Sequence, residues 1–182
     1  NISGEFKNNS VMAYGYWAEG GAIGAVDGSI GDINANFSNN YAQANNGLAM
    51  GGAIAVVTSY YGNMIGNFAG NYAKGSDAYG GAIFLTSDSR VKPTTISGTF
   101  SGNYALATGD SWSRAYGGAI YNMSEIGSIK SQNISGNKAI STDDSAMGGF
   151  LYGNELSNVK NISGNIYNNL AQGKSAEGGA IY

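Results

Sequence analysis

The sequence predicts an all-β protein, a right-handed, single-stranded parallel β-helix of about six coils, and three observations lead to this prediction. Two short strings alternate along all 182 residues, and each recurs about every 31 residues. The fixed places within both strings hold small or apolar residues, while insertions and deletions are confined to the stretches between them. Glycine pairs and asparagines lie inside the strings, where each copy would destabilise a helix. Strings of constant length separated by stretches of variable length are typical of a β-solenoid and its surface loops.

The first string is Ala-x-Gly-Gly-Ala-Ile. It occurs six times, and the copy at Ala146–Leu151 carries Phe150 and Leu151 in its last two places. We expect the small residues to let the backbone turn a corner where a Cβ atom would clash. The remaining copies are Ala18–Ile23, Ala49–Ile54, Ala78–Ile83, Ala115–Ile120 and Ala176–Ile181.

The second string is Phe-x-x-Asn, in which isoleucine replaces phenylalanine in the last two copies. The phenylalanine or isoleucine of this string is predicted to lie in the core. Another apolar residue stands four places before it in every copy except one, which has Lys130 there. The asparagines are expected to bond amide to amide from coil to coil, as in cross-β stacks; a row of ligand-binding amides is the alternative. The copies are Phe6–Asn9, Phe37–Asn40, Phe68–Asn71, Phe100–Asn103, Ile134–Asn137 and Ile166–Asn169.

The fixed strings are short, rich in isoleucine, phenylalanine and tyrosine, and bounded by turn residues, which indicates strands. Copies of one strand should lie side by side and parallel, about 4.8 Å apart. The strong bias of parallel crossover connections predicts a right-handed winding. Tyr41, Tyr72 and Tyr104 each stand between two residues predicted to point inward, so we expect their rings to point outward and stack.

Composition excludes several functional classes. The chain has a net charge of −3, which disfavours a phosphate-binding surface for nucleic acid. No apolar run approaches the ~20 residues of a membrane helix, so no membrane span is predicted in this segment. Cysteine and histidine are absent, which excludes disulfides, thiolate or imidazole zinc sites and a Ser-His-Asp triad. We therefore expect no metal and no cofactor.

An enzyme is not predicted, although some parallel β-helices act on polysaccharides. That chemistry needs clustered carboxylates, often with a bound cation. The 12 acidic residues of this chain are scattered along it, and the glycine-rich calcium-binding nonapeptide is missing. Catalysis on a polysaccharide therefore stays the third alternative.

The two ends coincide with the repeat boundaries. The chain starts one residue before an apolar strand and stops one residue after a Gly-Gly-Ala-Ile string. We expect residues 1–182 to form a single domain that is a segment of a longer passenger or fibre. Uncapped parallel edges are templates for pairing, which predicts end-to-end self-association.

The alternating Gly-Gly-Ala-Ile and Phe-x-x-Asn strings resemble the repeats of the chlamydial polymorphic outer membrane proteins and related bacterial autotransporter passengers. The resemblance implies an exported β-helical passenger, secreted or displayed at the outer membrane surface. It further implies an adhesin that contacts a protein or glycan of a host or neighbouring cell. Both strings are implicated in adhesion in that family. This role carries over by resemblance to Phe6, Asn9, Phe37, Asn40, Phe68, Asn71, Phe100 and Asn103, and to the glycine pairs Gly20, Gly21, Gly51, Gly52, Gly80, Gly81, Gly117, Gly118, Gly178 and Gly179. The runner-up function is a structural subunit of an extracellular fibre or surface coat.

A contact patch is predicted at the two longest insertions, Thr86–Thr95 and Leu106–Arg114. They contain both arginines of the chain, Arg90 and Arg114, and one of its two tryptophans, Trp112. Arginine and tryptophan most often carry binding energy, because each offers a large flat contact with a polar group. The hypothesis is an exposed patch of these three residues on one side of the rod. The alternative is a pair of solvated loops with the indole folded back over the coil.

Overall fold

The computed structural model describes residues 1–86, 94–109, 112–155 and 157–182, and these form a parallel β-solenoid of about 5 turns with about 31 residues in each turn. The predicted fold class is thereby confirmed. Neither a helix nor any helical segment capable of crossing a membrane occurs in the described ranges.

Sheets A and B follow each other along every coil. Sheet A carries the strands of the Phe-x-x-Asn string: Ile2–Lys7, Ile33–Ser38, Met64–Ile65 with Phe68–Ala69, Thr94–Ser101, Glu125–Ser135, and Asn158–Val159 with Ile162–Tyr167. Sheet B begins after the string's asparagine: Ser10–Ala13, Tyr41–Ala44, Tyr72–Gly75, Tyr104–Ala107, Lys138–Ser141 and Leu170–Gln172.

Sheets C and D flank the glycine pair of the first string. Sheet C precedes it: Trp17–Glu19, Leu48–Met50, Asp77–Tyr79, Ala115–Tyr116, Ser145–Met147 and Ser175–Glu177. Sheet D follows it: Ile23–Val26, Ile54–Val57, Ile83–Thr86, Ile120–Met123 and Leu151–Gly153, with a bridge from Leu151 to Ile181. The short strands Ser29–Ile30 and Tyr60–Tyr61 also pair with each other.

Pairing between coils keeps the two strings in register. Phe6 pairs with Phe37 in sheet A, and Ile23 pairs with Ile54 in sheet D, both in parallel. A slip of one residue would turn every apolar side chain of a strand outward, so the buried columns fix this register.

The main core lies between sheets A and D. Its centre is a stack of rings from the Phe-x-x-Asn strings, in which Phe37, Phe68 and Phe100 are completely buried. The rings of Phe37 and Phe68 stack at 5.1 Å and those of Phe68 and Phe100 at 5.0 Å. Isoleucine columns of the two sheets surround this stack.

In one coil the large and the small core residue exchange places between the two strings, and the core stays filled. In the coil that carries Ile134 in place of phenylalanine, Phe150 takes the place that alanine holds in the other copies of the first string. Both side chains are completely buried, and the Phe150 ring meets the Phe100 ring edge-on at 5.4 Å. Cores tolerate such swaps when the total volume is preserved.

The asparagine column forms the predicted ladder at the corner between sheets A and B. Asn71 Nδ2 donates to Asn103 Oδ1 at 3.0 Å and to the carbonyl oxygen of Phe37 at 3.0 Å. Asn71 Oδ1 accepts from the Nδ2 and the backbone N–H of Asn40, at 2.9 and 3.0 Å. Each buried amide therefore has all its hydrogen bonds, which burial requires.

The two strings touch each other across the rod. Buried alanines between sheets B and C, such as Ala42, Ala73 and Ala78, bring these two sheets close together. A Cβ atom added at Gly52 would overlap the carbonyl oxygens of Tyr72 and Gly81. The second glycine of the pair is therefore required by the strand that follows the motif asparagine, which explains why the strings alternate so regularly.

The corner between sheets C and D is concave, so the outward side chains on its two sides meet. Tyr79 from sheet C and Tyr121 from sheet D stack at 4.9 Å, and Phe84 stacks on Tyr121 at 5.0 Å. Each of these three rings is 8% exposed or less. This corner cluster is a second apolar layer outside the coil, which the sequence analysis did not predict.

Candidate functional site

One column of sheet C connects the predicted contact residues to the first coil. Trp17 pairs with Leu48, and Leu48 pairs with Asp77. Ala78 pairs with Ala115, so Arg114 lies next in the same column. At about 4.8 Å per coil, Trp17 and Arg114 lie roughly 14 Å apart on one side of the rod.

The arginine of this column is held by a carboxylate. Arg114 donates from Nη2 to Asp77 Oδ2 at 2.7 Å and from its backbone N–H to Asp77 Oδ1 at 2.7 Å. The hydrogen bond that Arg114 donates to Asp77 raises the pKa of Arg114, so the guanidinium stays charged. Because 48% of the Arg114 side chain is exposed, the pair fixes the position of the cation while leaving it open to a partner.

Trp112 is displayed from the loop before this strand. Its side chain is 81% exposed, so the indole is not folded back over the coil. Its backbone is left-handed, with φ at 60°, which is unfavourable for a bulky residue. The next residue, Ser113, is buried and its hydroxyl bonds that of Ser141 at 3.0 Å. The unfavourable backbone angle of Trp112 thus lies directly beside an anchored residue, and backbone strain of this kind commonly clusters at functional sites.

Further aromatic rings stand at the start of the same column. Tyr14, Tyr16 and Trp17 are 81%, 83% and 69% exposed. The backbone of Tyr16 is fixed, because Leu48 N donates to its carbonyl oxygen at 2.7 Å and a Cβ atom at Gly47 would overlap that oxygen. We call this surface the aromatic stripe, and it consists of Tyr14, Tyr16, Trp17, Trp112 and Arg114.

The stripe contains only part of the predicted patch. Trp112 and Arg114 belong to it, whereas Arg90 lies outside the described residues. Trp17 was not predicted as a contact residue. The repeat contains the information needed to align the two residues. Trp17 directly precedes the motif alanine Ala18, just as Arg114 directly precedes the motif alanine Ala115.

The residues carried over by resemblance are largely inaccessible. Phe37, Phe68, Phe100 and their motif asparagines Asn40, Asn71 and Asn103 are completely buried. Phe6 is half-buried, and Asn9 is exposed in the first coil. Of the glycine pairs, those at Gly20, Gly21, Gly51, Gly52, Gly80, Gly81, Gly117 and Gly118 are buried, while Gly178 is half-buried and Gly179 is exposed. Their direct role in adhesion stays a prediction.

Acidic side chains do not gather into a site in the described part of the chain. No three of them lie close enough together there to hold a metal ion. Three ion pairs involve acidic residues in that part, and each joins one carboxylate to one cation: Arg114 with Asp77, Lys160 with Glu125, and Lys174 with Asp143.

The fold defines the chain as a parallel β-solenoid with an exposed aromatic face. A comparison with protein-family models, with curated proteins and with solved structures finds no match.

Proposed function

We propose that this chain is a segment of a non-enzymatic bacterial surface adhesin, extracellular or displayed at the outer membrane. In this proposal the solenoid is a rigid rod, and the aromatic stripe contacts a protein on the surface of another cell. The observation that carries the proposal is the exposure of Trp17 and Trp112, at 69% and 81%. Trp17 lies in a strand that pairs with the next coil, and Ser113, which follows Trp112, is bonded to Ser141 of the next coil.

The composition of the stripe favours a protein partner. Tryptophan, tyrosine and arginine dominate the energetic centres of protein interfaces. A preorganised surface also loses little conformational entropy on binding. The Arg114–Asp77 pair would give such an interface a fixed hydrogen-bonding cation beside the rings.

The two repeated strings support adhesion indirectly in this proposal. Their phenylalanines, asparagines and most of their glycines form the core, the ladder and the corners, so they build the rod that carries the stripe. Substitutions in the strings would then abolish adhesion by unfolding the coil.

A bead-capture assay tests the proposal. Beads coated with the 182-residue chain should bind cultured epithelial cells, and protease treatment of those cells should abolish capture. We expect the double variant Trp17→Ala, Trp112→Ala to lose capture while remaining folded. The matched control is Tyr60→Ala, which removes a 43% exposed ring outside the stripe.

The other outcomes have defined meanings. If the parent chain captures no cell, the fibre or coat function is favoured. Equal capture by the double variant and by Tyr60→Ala contradicts the assignment of the stripe. Cleavage of a glycan by the purified chain would favour the polysaccharide-active enzyme.

A further inference from the structure

The outer face of sheet A carries a groove that the aromatic stripe does not include. It has a volume of about 360 Å³ and is lined by Ile65, Asn67, Ser97, Gly98, Thr99, Lys130 and Gln132. Ile65, Ser97 and Lys130 occupy one register position in three successive coils. The groove therefore runs across the strands, along the rod.

An irregularity of the repeat creates one wall of the groove. Ile129 pairs with Ile96, so it takes the core position before the motif, and Lys130 follows on the outer face. The strand then carries one extra residue, because Gly98 and Phe100 pair with Ser131 and Ile134. The Ser131 hydroxyl closes this β-bulge by donating to the carbonyl oxygen of Asn133 at 2.9 Å.

β-Bulges commonly redirect side chains beside binding sites. Here Lys130 and Gln132 are both exposed at the rim of the groove. The floor is recessed at Gly98, where φ is 127° and a Cβ atom would overlap the carbonyl oxygen of Gly66. The recess therefore depends on glycine and on the bulge together.

Polar groups in the groove are available and oriented. Thr99 Oγ1 donates to Asn67 Oδ1 at 2.8 Å, which leaves the Asn67 amide nitrogen to donate to a ligand. Lys130 forms no ion pair with any described residue, and no carboxylate lines the groove. The groove is therefore cationic although the whole chain has a net charge of −3.

The apolar part of the groove is Ile65, whose side chain is 46% exposed. A sugar ring offers C–H groups for such a surface and hydroxyl groups for amides such as those of Asn67 and Gln132. A carboxylate on the ring would meet the ammonium group of Lys130. A pocket with an aliphatic surface and a few placed polar groups is typical of a small-ligand site.

From these contacts we infer that the groove binds an acidic saccharide, a hexose-sized ring that carries one carboxylate. The carboxylate lies at Lys130, the ring hydroxyls at Asn67 and Gln132, and the apolar ring face on Ile65. This site is separate from the aromatic stripe, because it lies on sheet A and the stripe lies along sheet C.

Calorimetric titration of the 182-residue chain with two acidic probes tests the inference. Oligogalacturonate and sialyllactose represent the two sources of a sugar carboxylate, and neutral oligogalactose and lactose are their counterparts. We expect at least one acidic probe to bind at least tenfold more tightly than its neutral counterpart. Raising the salt concentration should weaken this binding, because the ion pair lies at the surface.

Variants assign the binding to the groove. We expect Lys130→Gln and Ile65→Ser each to weaken binding at least tenfold, with unchanged circular dichroism. The matched control is Lys138→Gln, which removes an exposed lysine from sheet B. The stripe variant Trp17→Ala, Trp112→Ala should bind the saccharide normally, so failure of the adhesin proposal and failure of this one are distinguishable.

Three results would overturn the inference. They are the absence of binding by both acidic probes, equal losses in Lys130→Gln and Lys138→Gln, and equally tight binding of oligoglutamate. The last result would show that the groove recognises charge alone and that an acidic peptide is its ligand.

Discussion

At the scale of single residues, the asparagine ladder shows why one polar side chain recurs in every coil. A buried amide has two donor and two acceptor positions, and Asn71 uses all four with Asn40, Asn103 and Phe37. The alternative of a ligand-binding row is not needed, because neighbouring coils already occupy these positions. The ladder is structural.

Asn71→Leu tests this interpretation. The change keeps the branching of the side chain but leaves the Nδ2 and backbone N–H of Asn40 without their acceptor. We expect a loss of about 2–6 kcal/mol in the free energy of unfolding, because each of the two orphaned buried groups costs about 1–3 kcal/mol. Urea denaturation measures the loss. Asn34→Leu, at an exposed position, is the control, and equal effects of the two changes would contradict the structural role.

Trp112 offers a second residue-scale test, because its backbone and its side chain have opposite requirements. Asparagine tolerates the left-handed conformation better than tryptophan does. We expect Trp112→Asn to keep or raise stability, by up to about 1 kcal/mol, while cell capture by the chain falls. The same change at Trp17, whose φ is not positive, should give no gain in stability. A clear loss of stability in Trp112→Asn would show that the indole packs on the rod.

The sequence predicts residues inside the repeat better than residues outside it. The outward stack of Tyr41, Tyr72 and Tyr104 is confirmed, with ring centroids 4.9 and 5.0 Å apart. It could be predicted because each tyrosine stands between two inward-facing residues of a strand. The alignment of Trp17 with Arg114 was harder to find, because the stretches before sheet C differ in length from coil to coil.

At the scale of elements, the exchange of Ile134 and Phe150 shows two strands adjusting to one core volume. Phe150→Ala should destabilise the chain by about 3–5 kcal/mol, because it leaves a cavity beside the smaller Ile134. Adding Ile134→Phe restores the pairing of large and small residues found in the earlier coils. We therefore expect the double variant to recover most of the loss in urea denaturation.

The control for this cycle is Ile134→Phe alone, which overpacks the core against Phe150 and should cost about 1–3 kcal/mol. Additive effects of the two substitutions would contradict the exchange, since residues that share one cavity are expected to couple.

The corner cluster makes stability depend on alkaline pH. Burial raises the pKa of Tyr121 to about 12. The folded protein thus favours the neutral phenol, and this contribution is fully present below pH ~10, the ordinary tyrosine range. It is lost as the pH rises through about 12. We expect Tyr121→Phe to lose less stability than the parent between pH 9 and 11.5.

Urea denaturation at both pH values measures this difference. The matched control is Tyr14→Phe, because this 81% exposed ring meets water in the folded and unfolded chain alike. A pH dependence that is the same in Tyr121→Phe and in the parent would contradict the role of the buried phenol.

Features of the strands differ in how directly they follow from the sequence. The strands, their parallel order and their register follow from the spacing of the strings. The corner cluster between sheets C and D does not, because it depends on how closely Tyr79 and Tyr121, which belong to different sheets, approach each other in three dimensions. The groove on sheet A was hidden for a similar reason, since Lys130 marked an irregularity whose consequence, a bulge, depends on the pairing partners.

At the scale of the whole molecule, the described strands of each coil pair only with strands of neighbouring coils, so stability is largely a sum of coil and interface contributions. One buried hydrogen bond, between the hydroxyl groups of Tyr61 and Ser124, joins coils two turns apart. The strand Tyr72–Gly75 pairs on both sides, with Tyr41–Ala44 and Tyr104–Ala107. Within the 182-residue chain, Leu170–Gln172 pairs on one side only and is partly exposed. The two ends and the centre of this chain therefore differ in local stability.

Native-state hydrogen exchange tests this difference directly. We expect the amides of Tyr72–Gly75 to be protected about 100-fold more than those of Leu170–Gln172, because opening of an end coil breaks one interface and opening of a central coil breaks two. Asn71→Leu should lower protection first in the coils that contact residue 71 and spread outward from them. Uniform protection along sheet B, in the parent or in the variant, would show that the rod unfolds as one cooperative unit and that the nearest-neighbour description is wrong.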